Sequence, residues 1–238
     1  ERWQNPVTIL SDLYLAEHFE TVETIDLDSI TVERGELLTS WTGTGYKRYA
    51  VTPSGVSPRA VPGMKGARFT AASDEHDEDG HVISDVLCGL PESIAIRRKM
   101  MLKRMKKLEG IRREMQVPAP EGPRDADLTL VGWGSTYRIM LEVMERLNAQ
   151  GIKTNVLAFR DIFPMQGEEV AKVLTACKRL LLVEQNYSGQ FGRHLRAETG
   201  VHITDTCLKY DGEPFNPIEV ETRAKEVIAV AESSVAEK

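Results

Sequence analysis

The chain has 238 residues, 41% of them apolar and 28% charged, with a formal net charge of −6. That balance is typical of a soluble globular protein with room for two modest cores or one large one. No apolar run approaches the roughly 18 residues of a membrane span, and the negative charge argues against nucleic acid as the main partner. The three cysteines, Cys88, Cys177 and Cys207, are far apart and odd in number. They point to a reducing cytoplasm rather than a disulfide framework. Without a Cys-x-x-Cys motif the chain offers no complete iron–sulfur or zinc cradle of the usual spacing.

The chain opens Glu1-Arg2-Trp3, with no methionine and no signal-like stretch, and enters strand-like sequence within a few residues. It therefore reads as a fragment of a longer polypeptide, entered in mid-domain. Residues 6 to 18 predict a strand, Pro6-Val7-Thr8-Ile9-Leu10, running into a short helical turn near Leu13, Leu15 and Ala16. Ile25, Leu27, Ile30 and Val32 follow in loose alternation, then the glycine-rich Trp41-Thr42-Gly43-Thr44-Gly45-Tyr46. Residues 1 to 90 do not read as a self-sufficient fold.

Two loops come next. Residues 52 to 63, with Pro53-Ser54-Gly55-Val56-Ser57-Pro58-Arg59 at their centre, are punctuated by prolines and glycines that rule out a regular ladder. Residues 73 to 81 pack five carboxylates and two imidazoles into nine positions. So much like charge needs a partner, a cation or open solvent. Glu75, Asp77, Asp79 and Gly80 fit the first half of a calcium loop, but its closing glutamate position falls on Val86. No metal site is expected there. His76 beside Asp77 has the makings of a general acid/base held by a carboxylate, and the plainer reading is a solvated histidine.

From Pro91 to Met115 the pattern becomes a basic helix. Arg97, Arg98, Lys99, Lys103, Arg104, Lys106, Lys107, Arg112 and Arg113 surround Met101, Met105, Leu108 and Ile111 at spacings of three and four. It reads as a connecting helix whose methionine face docks on a neighbour. The competing reading is a calmodulin-type or nucleic-acid helix, and a third is a face that steers an acidic partner or anionic coenzyme. Val117-Pro118-Ala119-Pro120-Glu121-Gly122-Pro123 is a linker. Beyond it, apolar strands at 128–131, 155–159, 180–184 and 201–204 alternate with helices at 136–150, 168–178, 190–199 and 218–233. This alternation predicts an open parallel α/β sheet.

Gly132-Trp133-Gly134-Ser135 follows the first of these strands but lacks the third glycine of a dinucleotide fingerprint. A tight turn before a helix is the better reading. The loop Asn186-Tyr187-Ser188-Gly189-Gln190-Phe191-Gly192 lies at the carboxyl end of a strand, where parallel sheets bind ligands. Its plainer reading is a helix start capped by Ser188, with Gly189 and Gly192 serving close packing.

Both loops, the helix through Lys103-Arg104-Met105, Leu130-Val131-Gly132-Trp133-Gly134-Ser135, and Leu182-Val183-Glu184-Gln185-Asn186-Tyr187-Ser188-Gly189-Gln190 follow one another in order. Together they resemble the carboxyl-terminal half of the alpha subunit of 2-oxoacid:ferredoxin oxidoreductases, most closely the 2-oxoglutarate type. The resemblance runs from about Pro6 to Val220.

It implies the end of a thiamine-diphosphate, pyrimidine-type domain over residues 1–90, a basic connecting helix and linker over 91–117, and an open parallel-sheet, transketolase C-terminal-like domain over 118–238. The activity implied is oxidative decarboxylation of a 2-oxoacid, forming an acyl-coenzyme A and reduced ferredoxin. Thiamine diphosphate, Mg2+ and the [4Fe–4S] cluster would be held mainly by a partner beta subunit, with none bound by this chain alone. The implied partners are that beta subunit, ferredoxin, coenzyme A and the oxoacid, in a cytoplasmic hetro-oligomer, without nucleic acid or membrane. The family's Tyr-Pro-Ile-Thr-Pro motif and thiamine-activating glutamate have no counterpart in this sequence, so the catalytic and cofactor-binding residues stay unassigned. Arg59, His76 and Asp77 are carried as residues lining the substrate end of the cavity. The chain by itself is expected to be inactive. The rival reading is a non-catalytic α/β scaffold or partner-binding module.

Overall fold

The computed structural model describes residues 1–71, 73–83 and 90–236, with side chains described through residue 230. Its elements in chain order are α1 (Leu13–Glu17), β1 (Leu37–Leu38), β2 (Arg59–Ala60), α2 (Pro91–Glu114), β3 (Leu128–Trp133), α3 (Thr136–Ala149), β4 (Thr154–Phe159), α4 (Gly167–Ala176), β5 (Leu180–Glu184), α5 (Gln190–Thr199), β6 (Asp205–Leu208) and α6 (Pro217–Ala236). Two compact units result. One comprises Glu1–Thr8 and Val22–Glu114, the other Ile9–Thr21 and Met115–Lys238. Cys88 and Val86 lie outside the described residues, and Cys177 and Cys207 are unpaired thiols. No helix among the described residues is long and apolar enough to cross a membrane.

The second unit is built on a four-stranded parallel sheet in the order β4-β3-β5-β6. Its strands read as continuous apolar runs because both faces are covered. Alternate residues divide between two cores. Leu128, Leu130, Val156, Leu181 and Val183 pack with Met140, Val143 and Leu147 of α3 and Val220, Ala224 and Val227 of α6. Val131, Leu157, Phe159 and Leu182 pack on the opposite face with Val170 and Leu174 of α4 and Phe191 and Leu195 of α5. Each fully buried Leu, Val or Phe contributes about 1.5–3 kcal/mol. The chain steps from β3 outward to β4, then crosses back to β5 on the other side. Adjacent strands β3 and β5 therefore send their helices to opposite faces, which is the switch point of an open α/β sheet.

The last strand begins later than the sequence predicts. Val201 to Thr204 is not a strand, and pairing with β5 runs from Asp205 to Leu208. Ile203 is instead buried against the α4/α5 face, so its apolar character serves packing before the ladder starts.

α5 is not capped by Ser188, whose own N–H donates to Asn186 Oδ1 at 3.1 Å. Asn186 Oδ1 also accepts from Gln190 N at 3.2 Å. The Glu184 carboxylate, 2% exposed, accepts from Phe191 N at 2.7 Å and Gly192 N at 3.4 Å. A buried acid thus closes the helix N-terminus. Gly192 is required by space, since a Cβ there would sit 2.6 Å from Leu182 Cδ2.

The first unit contains only one described two-stranded sheet, β1 paired in parallel with β2. The strand expected at Pro6–Leu10 does not form. No described strand pairs with it, and Val7 and Ile9 are 86% and 89% exposed. The buried face of α2 also differs from the expected one. Ser93, Met100 and Lys103 are buried, while Met101 and Met105 are exposed.

Two predictions follow from this packing. Met101→Ala or Met105→Ala should change stability by about 0.5 kcal/mol or less, whereas Leu157→Ala should cost about 2–5 kcal/mol. Urea denaturation measures both, and a large loss from either methionine variant would show that stripe to be covered. Glu184→Leu should cost about 1–3 kcal/mol for each buried N–H it leaves unpaired, and Glu184→Gln less. Equal stability of all three chains would deny the carboxylate its capping role.

Candidate functional site

Arg59 is held by backbone on both sides. Its N–H donates to Glu36 O at 2.8 Å as β2 pairs with β1. The Tyr46 hydroxyl donates to Pro58 O at 2.8 Å and accepts from Ala60 N at 2.9 Å, clamping the residues before and after it. Around this clamp Tyr46, Ala60 and Ala67 form a small core with Leu38, Trp41 and Met64. One face of the guanidinium fork holds a carboxylate: Nη2 donates to Glu1 Oε2 at 3.0 Å. Arg34 Nη1 donates to the same oxygen at 3.0 Å. Burial pushes the Glu1 carboxyl up, and the two guanidiniums bring it below its ordinary value. Arg59 Nε is buried and has no hydrogen-bond acceptor among the described residues. Arg59 is thus pre-positioned, carboxylate-competent and incompletely satisfied.

The preceding turn is packed against α2. Thr52 Oγ1 donates to Val56 O at 2.8 Å and Ser57 Oγ to Ala50 O at 2.8 Å. Gly55 has φ +80°, and a Cβ there would meet Lys103 O at 2.4 Å. Only glycine allows this approach.

The acidic loop finds its cations within the same unit. Arg104 Nη2 donates to both oxygens of Glu75 at 2.9 and 2.7 Å, and Arg97 reaches Oε2 as well. Glu78 pairs with Lys99 and accepts from Val51 N at 2.8 Å. Lys47 pairs with Asp79 at 2.9 Å. Asp77 is the hub of the turn. Its Oδ1 accepts from Asp79 N and His81 N, each at 2.9 Å, and its Oδ2 meets His81 Nδ1 at 3.1 Å. Burial pushes the Asp77 carboxyl up, and these donors bring it below its ordinary value.

Asp77, Asp79 and His81 offer ligand atoms within 4.8 Å of one another. The Asp77 oxygens also accept from N–H donors of the turn.

His76 Nδ1 lies 2.9 Å from Asp77 O, so the ring nitrogen carries the hydrogen and the carbonyl accepts. Its ring stacks on Tyr49 at 3.8 Å between centroids. The structure therefore joins His76 to Asp77 through the backbone carbonyl, not through the carboxylate. Among the described residues the cations that pair with these acids are Arg97, Arg104, Lys99 and Lys47.

The sheet edge of the second unit is occupied from within. Ser135, after β3, donates to Asp12 Oδ2. The N–H groups at the start of α5, which a phosphate would need, are taken by Glu184 and Asn186. Tyr187 and Tyr210 remain exposed beside this edge, their rings edge-to-face at 4.9 Å.

Sequence reasoning singled out Arg59, His76 and Asp77 but missed Tyr46 and Glu184. An acid ending the apolar run Leu-Leu-Leu-Val-Glu184 just before a helix was the readable signal for the second. Tyr46 had none, because its two hydrogen bonds reach residues 12 and 14 positions away.

Comparison with known proteins agrees with the fold of the second unit. Residues 121–210 match the transketolase C-terminal domain family, in agreement with the parallel sheet. The chain is 32% identical over 99% of its length to the alpha subunit of 2-oxoacid:ferredoxin oxidoreductase 2 of Aeropyrum pernix. It is 30% identical, again over 99%, to the 2-oxoacid:ferredoxin oxidoreductase alpha subunit of Saccharolobus solfataricus. In both cases it spans 36% of the relative's own length. Among solved structures it resembles the 2-oxoglutarate:ferredoxin oxidoreductase of Magnetococcus marinus, which was determined with 2-oxoglutarate, coenzyme A and succinyl-CoA bound. That match has a TM-score of 0.67 and 31% identity, covering 79% of this chain and 32% of the other. The chain is thus related, along nearly its whole length, to the alpha subunits of the 2-oxoacid:ferredoxin oxidoreductases whose carboxyl-terminal half its motifs resemble.

Proposed function

We propose that this chain serves as part of a thiamine-diphosphate-dependent 2-oxoacid:ferredoxin oxidoreductase, with 2-oxoglutarate as the oxoacid. In that reaction the oxoacid loses its carboxylate as carbon dioxide, the acyl group joins coenzyme A, and the released electrons pass to ferredoxin. The relationship over 99% of the chain supports the enzyme class. The observation that carries the site is Arg59, fixed by the Tyr46 clamp, already pairing with one carboxylate and holding a buried Nε without an acceptor.

Thiamine diphosphate, when bound, supplies the carbanion-stabilising chemistry. Three cysteines fall short of the four thiolates of a [4Fe–4S] cradle, so the cluster does not fit this chain and no step here runs through it. It is assigned, with the magnesium, to a beta subunit in a cytoplasmic complex. What this chain's own residues do is bind and orient. Arg59 takes a substrate carboxylate in its planar fork, where lysine offers only a point charge. Tyr46 fixes the backbone on either side of Arg59 and so the point from which the fork reaches out.

The non-catalytic, nucleic-acid-binding alternative loses support from α2. Arg97, Lys99 and Arg104 are already committed to Glu75 and Glu78, which removes much of the positive face such binding needs.

Steady-state kinetics of the assembled complex test the reading. Arg59→Lys should raise KM for the oxoacid about ten- to a hundredfold, with the fold and the coenzyme A dependence unchanged. The chain assayed alone with 2-oxoglutarate, coenzyme A and a viologen dye should show no turnover. Wild-type KM in the variant would remove Arg59 from the site, and turnover by the chain alone would overturn the division of labour.

A further inference from the structure

The cations of α2 fall into two groups. Arg97, Lys99 and Arg104 pair with carboxylates. Lys103 and Lys107 meet only neutral acceptors among the described residues. Lys103 Nζ donates to Tyr49 O at 2.9 Å, and Lys107 Nζ to Gln4 O at 3.2 Å and Asn5 Oδ1 at 3.4 Å.

Arg48 joins them. Its Nη1 donates to Gln4 Oε1 at 3.0 Å, and its guanidinium lies 5.5 Å from the Tyr49 ring centre. Lys103 Nζ is 5.9 Å from the same centre. Gln4 ties the group together, since it accepts from both Arg48 and Lys107 and donates its own Nε2 to Ser57 O at 2.6 Å. It does so from φ +48°, a left-handed backbone uncommon for a residue other than glycine.

Three positive charges thus converge on carbonyls and amides. Lys103 is 6% exposed. Burial, with Lys107 and Arg48 nearby, lowers its pKa to about 8 although the Glu78 carboxylate acts the other way, and burial lowers that of Lys107 too. Collecting like charges away from water is unfavourable unless an anion joins them. An ammonium has three N–H groups, and Lys103 uses one among the described residues. An ordinary carboxylate carries one charge on two oxygens. A phosphate offers more charge and a third oxygen, matching three donors from different directions.

We propose that Arg48, Lys103 and Lys107 form a binding site for a phosphate group. The site lies within the first unit and does not depend on the reaction proposed above. Thermal unfolding of the 238-residue chain, at constant ionic strength set with chloride, tests it. Inorganic phosphate, and more strongly pyrophosphate, should raise Tm in a saturable way, and succinate at the same concentration should not.

Lys107→Gln and Arg48→Gln should each weaken the pyrophosphate effect at least tenfold, while Lys106→Gln, on the exposed side of α2, should keep it. Lys103→Met should abolish the effect and raise Tm without phosphate, because it removes a buried cation that makes no ion pair among the described residues. The proposal is overturned by an absent phosphate shift, by an equal shift from succinate, or by a full shift in Lys107→Gln. A lower Tm in phosphate-free Lys103→Met would make Lys103 a strut and overturn it equally.

Discussion

Ion pairing between the acidic loop and α2 is the constraint on which the first unit depends. This unit has little regular structure to hold it, with two strands of two residues each among its described residues. Glu75 and Glu78 reach three cations spaced along α2, and their backbone carbonyls accept from Ile83 N and Tyr49 N. An isolated surface pair is worth little. Here the carboxylates are largely covered, with side-chain exposures of 13% and 22%, and each also organises a stretch of loop. The same residues that look excessive for a connector are what makes the connector a fixed structure.

That pairing also decides where substrate chemistry can be placed. An acid committed to two guanidiniums is a poor general base, because its charged form is favoured. Burial raises the Glu75 carboxyl, but Arg104 and Arg97 reverse this and leave it below its ordinary value. Arg59, by contrast, has one carboxylate partner and a buried Nε without an acceptor among the described residues. In the reading proposed above, the loop is the scaffold and Arg59 the group that meets the substrate.

Much of the fold was legible because burial on both faces leaves a strong trace. Leu180–Glu184 and Gln190–Thr199 form where the apolar run and Gly200 mark them. Legibility failed where one signal served two uses. Val201 and Ile203 look like a strand but anchor packing ahead of β6. On α2, Met101 and Met105 suggested the inner face, yet Ser93, Met100, Lys103 and half-buried Lys107 form it at spacings of seven, three and four. Two of those four are lysines, whose stems pack while their ammonium groups reach carbonyls, and hydropathy alone ranks them as surface. Pro6–Leu10 has the strand propensity but no strand beside it among the described residues. The motif singled out Arg59, whose backbone the structure places between the Tyr46 hydrogen bonds. The Tyr46 clamp stayed hidden because a tyrosine in a glycine-rich loop carries no sign of the distant backbone it will bind.

The central claim, that the acidic loop is spent on holding α2, can be read from the pH dependence of amide protection. Glu78 is held below its ordinary value of 4.5 chiefly by Lys99, and Glu75 by its guanidiniums against the effect of burial. Lowered folded pKa values mean stability that is present above the ordinary glutamate range and lost as pH falls through the folded values. Hydrogen exchange, corrected for the intrinsic pH dependence of the rate, should show residues 73–83 and 97–104 protected at pH 7. That protection should be lost as pH falls below the ordinary glutamate value of 4.5 and through the lowered folded values, while the strands Leu128–Trp133 and Leu180–Glu184 retain theirs. Unchanged protection of the loop and helix across that range would contradict the account, and would return the carboxylates to the list of groups awaiting a ligand.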